Sequence, residues 1–145
     1  MDYFTAFDIS ASGLVAEKTK LDVVAMNLAN ANTTRASDGT TYRPMRVITE
    51  SRATNLDSSL TPNFSKYLSG VEVVNIQQTD VKPRLVLDAG HPDANEKGFV
   101  EYPNINPVSE MVTMIEATRS YEANVRAINA AKSMALTALD IGRSR

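Results

Sequence analysis

Apolar residues at the amino end of the chain recur at intervals of three and four. The series consists of Phe4, Phe7, Ala11, Leu14, Lys18, Leu21, Ala25, Leu28 and Asn32. This spacing places side chains on one face of an α-helix, and the three leucines, seven residues apart, are typical of a coiled-coil seam. The pattern predicts a helix of about 28 residues, or about 42 Å. Thr5 is the expected N-cap, and the Asn- and Thr-rich residues 30–34 are the expected stop.

The carboxyl end of the chain shows the same periodicity. Its stepping positions are Met111, Met114, Thr118, Tyr121, Val125, Ile128, Lys132, Ala135 and Leu139. Asn106 is placed to cap this second helix, Pro107 suits its first position, and Gly142 is the expected C-cap. The pattern predicts a helix of about 35 residues, or about 52 Å.

Helix-breaking residues are concentrated in the middle of the chain. All six prolines and four of the six glycines lie within residues 39–107, and both residue types interrupt regular structure. The polar, aperiodic residues 51–69 are expected to form a loop, and residues 88–98 a cluster of turns. Apolar and β-branched runs predict three strands, the first weakened by a proline, at 42–50, 71–78 and 84–88.

Together these elements predict an α+β chain. Its long N- and C-terminal helices are expected to pair as a coiled-coil hairpin beside a small β-rich middle segment. The expected division is 1–34 for the first helix, 35–104 for the middle and 105–145 for the second helix. A middle of that size cannot cover two such helices, which depend on packing for stability. Two interpretations stay open: the helices also pack against other chains, or the chain is a self-contained monomeric hairpin.

The charge balance argues against nucleic acid as a partner. The 15 basic and 17 acidic residues give a net charge of −2, whereas a nucleic-acid-binding surface needs clustered positive charge. The absence of cysteine excludes disulfides and cysteine-ligated zinc. No apolar run is long enough to insert into a membrane, and the N-terminus lacks the pattern of a cleaved signal peptide.

Residue types suited to catalysis or metal binding form no known constellation. The single histidine, His91, lies near Asp88, Asp93 and Glu96, but the spacing matches no metal-ligand pattern. There is no phosphate-binding glycine loop and no HExxH or GxSxG motif. We therefore expect a protein that is not an enzyme and has no metal or cofactor. Three arginines are expected to lie on a solvated strand edge: Arg43, Arg46 and Arg52.

Two stretches of the chain are similar to one known family. SGLVAEKTKLDVVAMNLANANTT (12–34) resembles the N-terminal motif of bacterial flagellar rod and hook proteins. YPNINPVSEMVTMIEATRSYEANVRAINAAKSMALTALDIG (102–142) resembles the C-terminal motif of the same family. The second motif, the turn GHPDANEKGFV (90–100) and the short chain are most similar to the proximal-rod branch. The two end motifs cover a little under half of the chain.

The resemblance implies a structural subunit of the flagellar basal-body rod, the drive shaft that crosses the periplasm and serves motility. Such subunits are exported by the flagellar type III apparatus without a cleaved signal and polymerise through their terminal helices. The implied partners are other copies of the chain, other proximal-rod proteins, the rod–ring junction protein, distal-rod proteins and the export apparatus. The alternative is a helical-hairpin adaptor or export-chaperone-like binding module, folded as a monomer or closed dimer.

The residues expected to carry assembly lie on the two predicted helices. The apolar seam candidates are Leu14, Leu21, Leu28, Met111, Met114, Tyr121, Val125, Ile128 and Leu139. Asn27, Asn30 and Asn32 fall on the family motif near the end of the first helix. These asparagines form either a hydrogen-bonded joint with the next segment or simple caps. Gly13 within the first helix either permits close helix approach or is a weak point.

Overall fold

In the computed structural model of the chain, the described residues are 3–36, 39–53 and 69–143. Two long helices flank four short strands along the sequence, which confirms the predicted α+β class. The elements are α1 (Tyr3–Ala29), β1 (Met45–Ala53), β2 (Ser69–Gln78), β3 (Arg84–Leu87), β4 (Phe99–Tyr102) and α2 (Pro107–Arg143).

Of the four predicted helix ends, two are correct and two are wrong. α1 ends at Ala29, directly before the expected stop at residues 30–34. Asn106 caps α2, because its Oδ1 accepts the backbone N–H groups of Val108 (3.0 Å) and Ser109 (3.4 Å). The predicted cap at Thr5 is wrong, since α1 begins two residues earlier at Tyr3. The predicted C-cap at Gly142 is also wrong. That glycine lacks the positive φ of a helix-ending residue, and α2 continues through it to Arg143.

The strands form two separate two-stranded sheets, β1 with β2 and β3 with β4. All three predicted strands are present, and β1 extends to residue 53, into the segment predicted as a loop. The other end of the predicted loop, Ser69, is the first residue of β2, and residues 54–68 lie outside the described residues. The backbone N–H of Thr79, after β2, donates to the carbonyl of Pro44, before β1 (2.7 Å), so the two strands run antiparallel.

The sequence pattern missed β4, which pairs antiparallel with β3 from Arg84↔Tyr102 to Leu87↔Phe99. β4 has only four residues, and its position depends on the turn before it. In that turn the Oδ1 of Asn95 accepts the backbone N–H groups of Lys97 and Phe99, both at 3.0 Å. Gly98 adopts φ +78°, a conformation that L side chains rarely adopt.

Residue contacts divide the chain into two compact units, each built from non-contiguous segments. Unit 1 comprises Met1–Thr19, Thr49–Val74 and Ala117–Arg145, and unit 2 comprises Lys20–Ile48 and Asn75–Glu116. Each unit therefore contains part of both helices and part of the middle. The division at 1–34, 35–104 and 105–145 follows chain order and stays a prediction about sequence segments.

The two units bury different kinds of side chain. The buried apolar side chains described in unit 2 are those of Val23, Val24 and Val100, and the last is fully buried. In the described part of unit 1 the buried apolar side chains belong to alanines: Ala16, Ala117 and Ala131. Because burial of a valine contributes more hydrophobic free energy than burial of an alanine, the described residues of unit 2 contribute more apolar burial than those of unit 1.

The predicted seam of α2 consists of two sets of residues spaced seven apart. One set lies on the half-buried face of the helix, and the other lies one residue away from the more deeply buried positions. Met114, Tyr121, Ile128 and Ala135 are half-buried as a line. The more deeply buried line is small or polar, and its members precede the predicted Met111, Thr118, Val125 and Lys132 by one position: Glu110, Ala117, Asn124 and Ala131.

The cap of α2 gives a first prediction. Asn106→Ala removes the acceptor of two backbone N–H groups at the helix start and is expected to lower the free energy of unfolding by about 1 kcal/mol. Urea denaturation measures this change. The control Asn104→Ala alters an exposed asparagine two residues upstream and is expected to stay within about 0.5 kcal/mol of the parent chain. Equal losses in the two variants would contradict the cap.

Candidate functional site

Asn27, in the last turns of α1, is a fully buried polar residue. Its Nδ2 donates to the carbonyl of Met45 at 2.9 Å and to Oε2 of Glu110 at 3.1 Å. Its Oδ1 accepts the backbone N–H of Met45 at 2.9 Å and the hydroxyl of Tyr42 at 3.1 Å. An asparagine amide has two donor hydrogens and two acceptor lone pairs, and all four are used here.

Glu110, in the first turn of α2, is the charged member of this network and is only 3% exposed. Its Oε2 accepts from Asn27, and its Oε1 lies 3.2 Å from Nη2 of Arg46. Asn106 and Pro107 start α2 so that Glu110 lies near the positive end of the helix dipole. The guanidinium, the amide and the helix terminus together compensate a carboxylate that would otherwise be costly to bury.

Tyr42 closes the network from the segment between α1 and β1. Burial raises the pKa of its hydroxyl, and the negative charge of Glu110 raises that pKa further. Both effects favour the neutral phenol, which is the form that donates a hydrogen bond to Asn27.

These five residues, Asn27, Tyr42, Met45, Arg46 and Glu110, are termed the Asn27 joint. They join the end of α1, the start of β1 and the start of α2 within unit 2. Among the described residues no buried side-chain polar atom lacks a hydrogen-bond partner. The joint is therefore suited to fixing elements in place, because its polar groups are already engaged with one another.

In unit 1 the first half of α1 holds both strands of the β1–β2 sheet. The Oγ of Ser12 accepts the backbone N–H of Val71 in β2 at 3.1 Å and donates to the carbonyl of Ile9 at 2.7 Å. Arg52 in β1 pairs with Asp8 at 3.3 Å. One helical turn of α1 therefore contacts both strands.

The three predicted asparagines have three different environments. Asn27 lies in the joint. Asn30 caps locally, since its Nδ2 donates to the carbonyl of Met26 at 2.8 Å and its Oδ1 accepts the hydroxyl of Thr33 at 3.3 Å. Asn32 is exposed. The hydrogen-bonded joint therefore describes Asn27, and local capping describes Asn30.

The apolar seam candidates divide by burial. The half-buried ones are Leu14, Leu21, Leu28, Met114, Tyr121, Val125 and Ile128. Met111 is 50% exposed and Leu139 is 64% exposed, so neither lies on the buried face of α2 in this chain. Whether any of these residues contacts another subunit stays a prediction.

Sequence reasoning missed the roles of three arginines expected on a solvated edge. Arg43 lies 3.9 Å from Asp80, Arg46 lies 3.2 Å from Glu110, and Arg52 lies 3.3 Å from Asp8. The three arginine side chains are 47–59% exposed, in agreement with a solvated position, but each guanidinium also has an acidic neighbour from a distant part of the sequence. No sequence signal links these pairs, because they are 37, 64 and 44 positions apart (80 − 43, 110 − 46, 52 − 8).

In the turn that contains His91, polar side chains bond to neighbouring protein groups. The Nδ1 of His91 accepts the backbone N–H of Asp93 at 3.1 Å, and Asp93 also pairs with Arg35 at 3.6 Å and accepts from Thr34 at 2.8 Å. Within residues 3–36, 39–53 and 69–143, no group of three or more His, Cys, Asp or Glu is arranged to hold a metal. None of the described helices has an apolar stretch that could cross a bilayer.

Comparison with known proteins gives two family matches, one at each end of the chain. The family described as "Flagella basal body rod protein" matches residues 7–36. The family described as "Flagellar basal body rod FlgEFG protein C-terminal" matches residues 96–141.

Individual relatives extend this similarity over the whole chain. A flagellar basal-body rod protein FlgC from Bacillus subtilis is 41% identical over 150 residues, covering 99% of this chain and 100% of the relative. The FlgC of Borreliella burgdorferi is 39% identical and covers 97% of this chain and 98% of the relative. The FlgC of Escherichia coli O6:H1 is 37% identical and covers 99% and 100%. The chain belongs to the flagellar basal-body rod protein family.

The Asn27 joint draws on both family regions. Asn27 lies within the N-terminal match and Glu110 within the C-terminal match, whereas Tyr42, Met45 and Arg46 lie in the segment between them. The rod-family regions are therefore hydrogen-bonded to each other in unit 2. The family match also confirms the resemblance drawn from residues 12–34 and 102–142.

The joint gives a second prediction. Asn27→Ala leaves the part-buried N–H and C=O of Met45 and the buried Oε2 of Glu110 without this partner, and it is expected to lower the free energy of unfolding by about 3 kcal/mol. Urea denaturation of the full chain measures the loss. Asn32→Ala is the matched control, because it changes an exposed asparagine five residues further on and is expected to cost under about 0.5 kcal/mol. A small loss in both variants would contradict the joint.

Tyr42 gives a prediction on pH. A raised pKa in the folded chain means that folding favours the protonated phenol, so its stabilising contribution is complete below the unfolded value of about 10. The contribution is lost as pH rises through the higher folded value. The free energy of unfolding is therefore expected to fall above about pH 10, and to fall less steeply in Tyr42→Phe. Urea denaturation across this pH range tests it, and parallel curves for the two chains would refute the assignment.

Proposed function

We propose that this chain is a structural subunit of the proximal flagellar rod and that it polymerises through its terminal helices. The observation that carries the role is the 41% identity to a FlgC rod protein over the full length of both chains. A structural role agrees with the Asn27 joint, whose polar groups hold elements together. The polymerisation step is supported by the apolar surface of α2.

The first third of α2 has an exposed apolar face. Val108, Met111, Val112 and Ile115 follow the i, i+3, i+4, i+7 spacing of one helix face and are 50–69% exposed. Ala117, in contrast, is buried on another side of the same helix. A soluble chain that leaves such a stripe uncovered commonly uses it to bind another protein.

The end of α2 supports the same proposal. Leu136, Leu139 and Ile141 are 53%, 64% and 68% exposed, and the last buried position on the helix is Ala131. A helix of this length derives stability from packing, so its final turns need a neighbour to become rigid. We infer that neighbouring subunits supply that packing.

We further propose that α1 and α2 pair as an antiparallel coiled coil. In unit 1 Gly13 faces Asn124, and in unit 2 Asn27 is bonded to Glu110. The α1 members are 14 residues apart (27 − 13), and so are the α2 members (124 − 110). Fourteen residues are two heptads, the repeat of a coiled-coil seam.

The remaining elements of the proposal follow the family. We propose that the partners are other copies of the chain, other proximal-rod proteins, the rod–ring junction protein and distal-rod proteins. Export by the flagellar type III apparatus without a cleaved signal and a location in the periplasmic part of the basal body belong to the same proposal.

The exposed α2 face gives the functional test. Ile115→Glu places a charge on an exposed apolar position and is expected to leave the circular dichroism spectrum unchanged. It is expected to abolish incorporation into purified basal bodies and swimming in a strain that lacks the native chain, because a desolvated charge opposes helix packing. Ser120→Glu introduces the same charge at an exposed polar position of the same helix and is expected to retain both.

Two results would count against polymerisation through α2. One is incorporation of the Ile115→Glu chain at the level of the Ser120→Glu control. The other is a parent chain that forms a closed monomer or dimer and is absent from basal bodies, which would support the adaptor alternative.

A further inference from the structure

The side chain of Asn124 lies directly against the bare Cα of Gly13 in unit 1. A Cβ atom built on Gly13 would lie 2.8 Å from Nδ2, 3.2 Å from Cγ and 3.3 Å from Oδ1 of Asn124. All three positions are closer than ordinary van der Waals contact. The Asn124 side chain would therefore have to shift before a residue with a Cβ atom could occupy position 13.

Gly13 is the only glycine in α1. A shift of one heptad along the helix would bring Asn124 against Ala6 or Lys20, both of which carry a Cβ atom. Glycine is among the least favourable residues in a helix interior, so its presence destabilises α1 unless a close contact offsets that effect. Position 13 is thus the single place in α1 that can accept the Asn124 amide at this separation.

The neighbouring residue couples this contact to the sheet. Ser12 accepts the backbone N–H of Val71, and a Cβ on Gly70 would lie 2.8 Å from the Ser12 Oγ. Consecutive residues of α1 therefore contact α2 through Gly13 and β2 through Ser12. A displacement of α1 would disrupt both contacts together.

We propose that Gly13 and Asn124 form a size-matched pair that fixes the register at which α1 packs on α2 in unit 1. Polar side chains at heptad positions fix register in coiled coils because few alternative alignments accommodate them. Here the accommodating feature is the missing side chain of one glycine. Asn124 and Gly13 are positioning residues, and this role is independent of what the helix pair later binds.

A cycle of variants tests the pair by thermal unfolding of the full chain. Gly13→Ala is expected to lower the Tm by about 5 °C through overpacking against the amide. In an Asn124→Ala background the same substitution is expected to raise the Tm by about 3 °C, because the clash is gone and alanine is the better helix former. The sign of the effect therefore reverses with the residue at position 124.

Two controls separate pairing from helix propensity. Gly142→Ala changes a helical glycine with nothing within 4 Å of its added Cβ and is expected to leave the Tm unchanged or slightly raised in both backgrounds. Ala6→Gly/Gly13→Ala keeps one glycine in α1 but moves it by one heptad, and its Tm is expected to remain as low as that of Gly13→Ala.

If Gly13→Ala fails to fold, the double variant still tests the proposal. The Gly13→Ala/Asn124→Ala chain is then expected to recover folding. A Gly13→Ala effect of the same sign in both backgrounds would overturn the proposal. Full recovery by Ala6→Gly/Gly13→Ala would overturn it as well.

Discussion

The need to satisfy one buried amide governs much of unit 2. Asn27 has no contact with water, so each of its polar atoms must find a partner within the chain, and the cost of leaving one unpaired exceeds the gain from most single contacts. Its partners come from β1, from α2 and from the segment between α1 and β1. The positions of the end of α1, the start of β1 and the start of α2 are therefore interdependent, and a shift of any one would break several hydrogen bonds.

The same constraint explains why a carboxylate is tolerated in the interior. Glu110 is buried, but Asn27 donates to one of its oxygens, Arg46 faces the other, and the start of α2 contributes its positive dipole. Tyr42 stays protonated beside it and donates to Asn27. The network is stable as a set, since removing one member would leave a buried group without compensation.

The two units reach close packing by different means. Unit 2 buries three valines in addition to its polar network, whereas the buried apolar residues described in unit 1 are alanines, and Gly13 contacts Asn124 there. Small residues let helices approach closely but contribute little apolar burial. This combination leaves larger apolar residues of α2 exposed, Met111 and Leu139 among them.

The sequence alone determined the α+β class, both long helices, three strands, the cap at Asn106 and the family, because these depend on local periodicity and on motifs. It could not decide which side of α2 faces inward: apolar residues occur on more than one side, and the buried line proved to be Glu110, Ala117, Asn124 and Ala131 rather than the larger residues beside it. The Asn27 joint could not be predicted from the sequence either, since Arg46 and Glu110 are paired only through tertiary contact. Hydrophobic periodicity reports that a face is packed, whereas hydrogen-bond geometry and atomic separation select the residues that pack there.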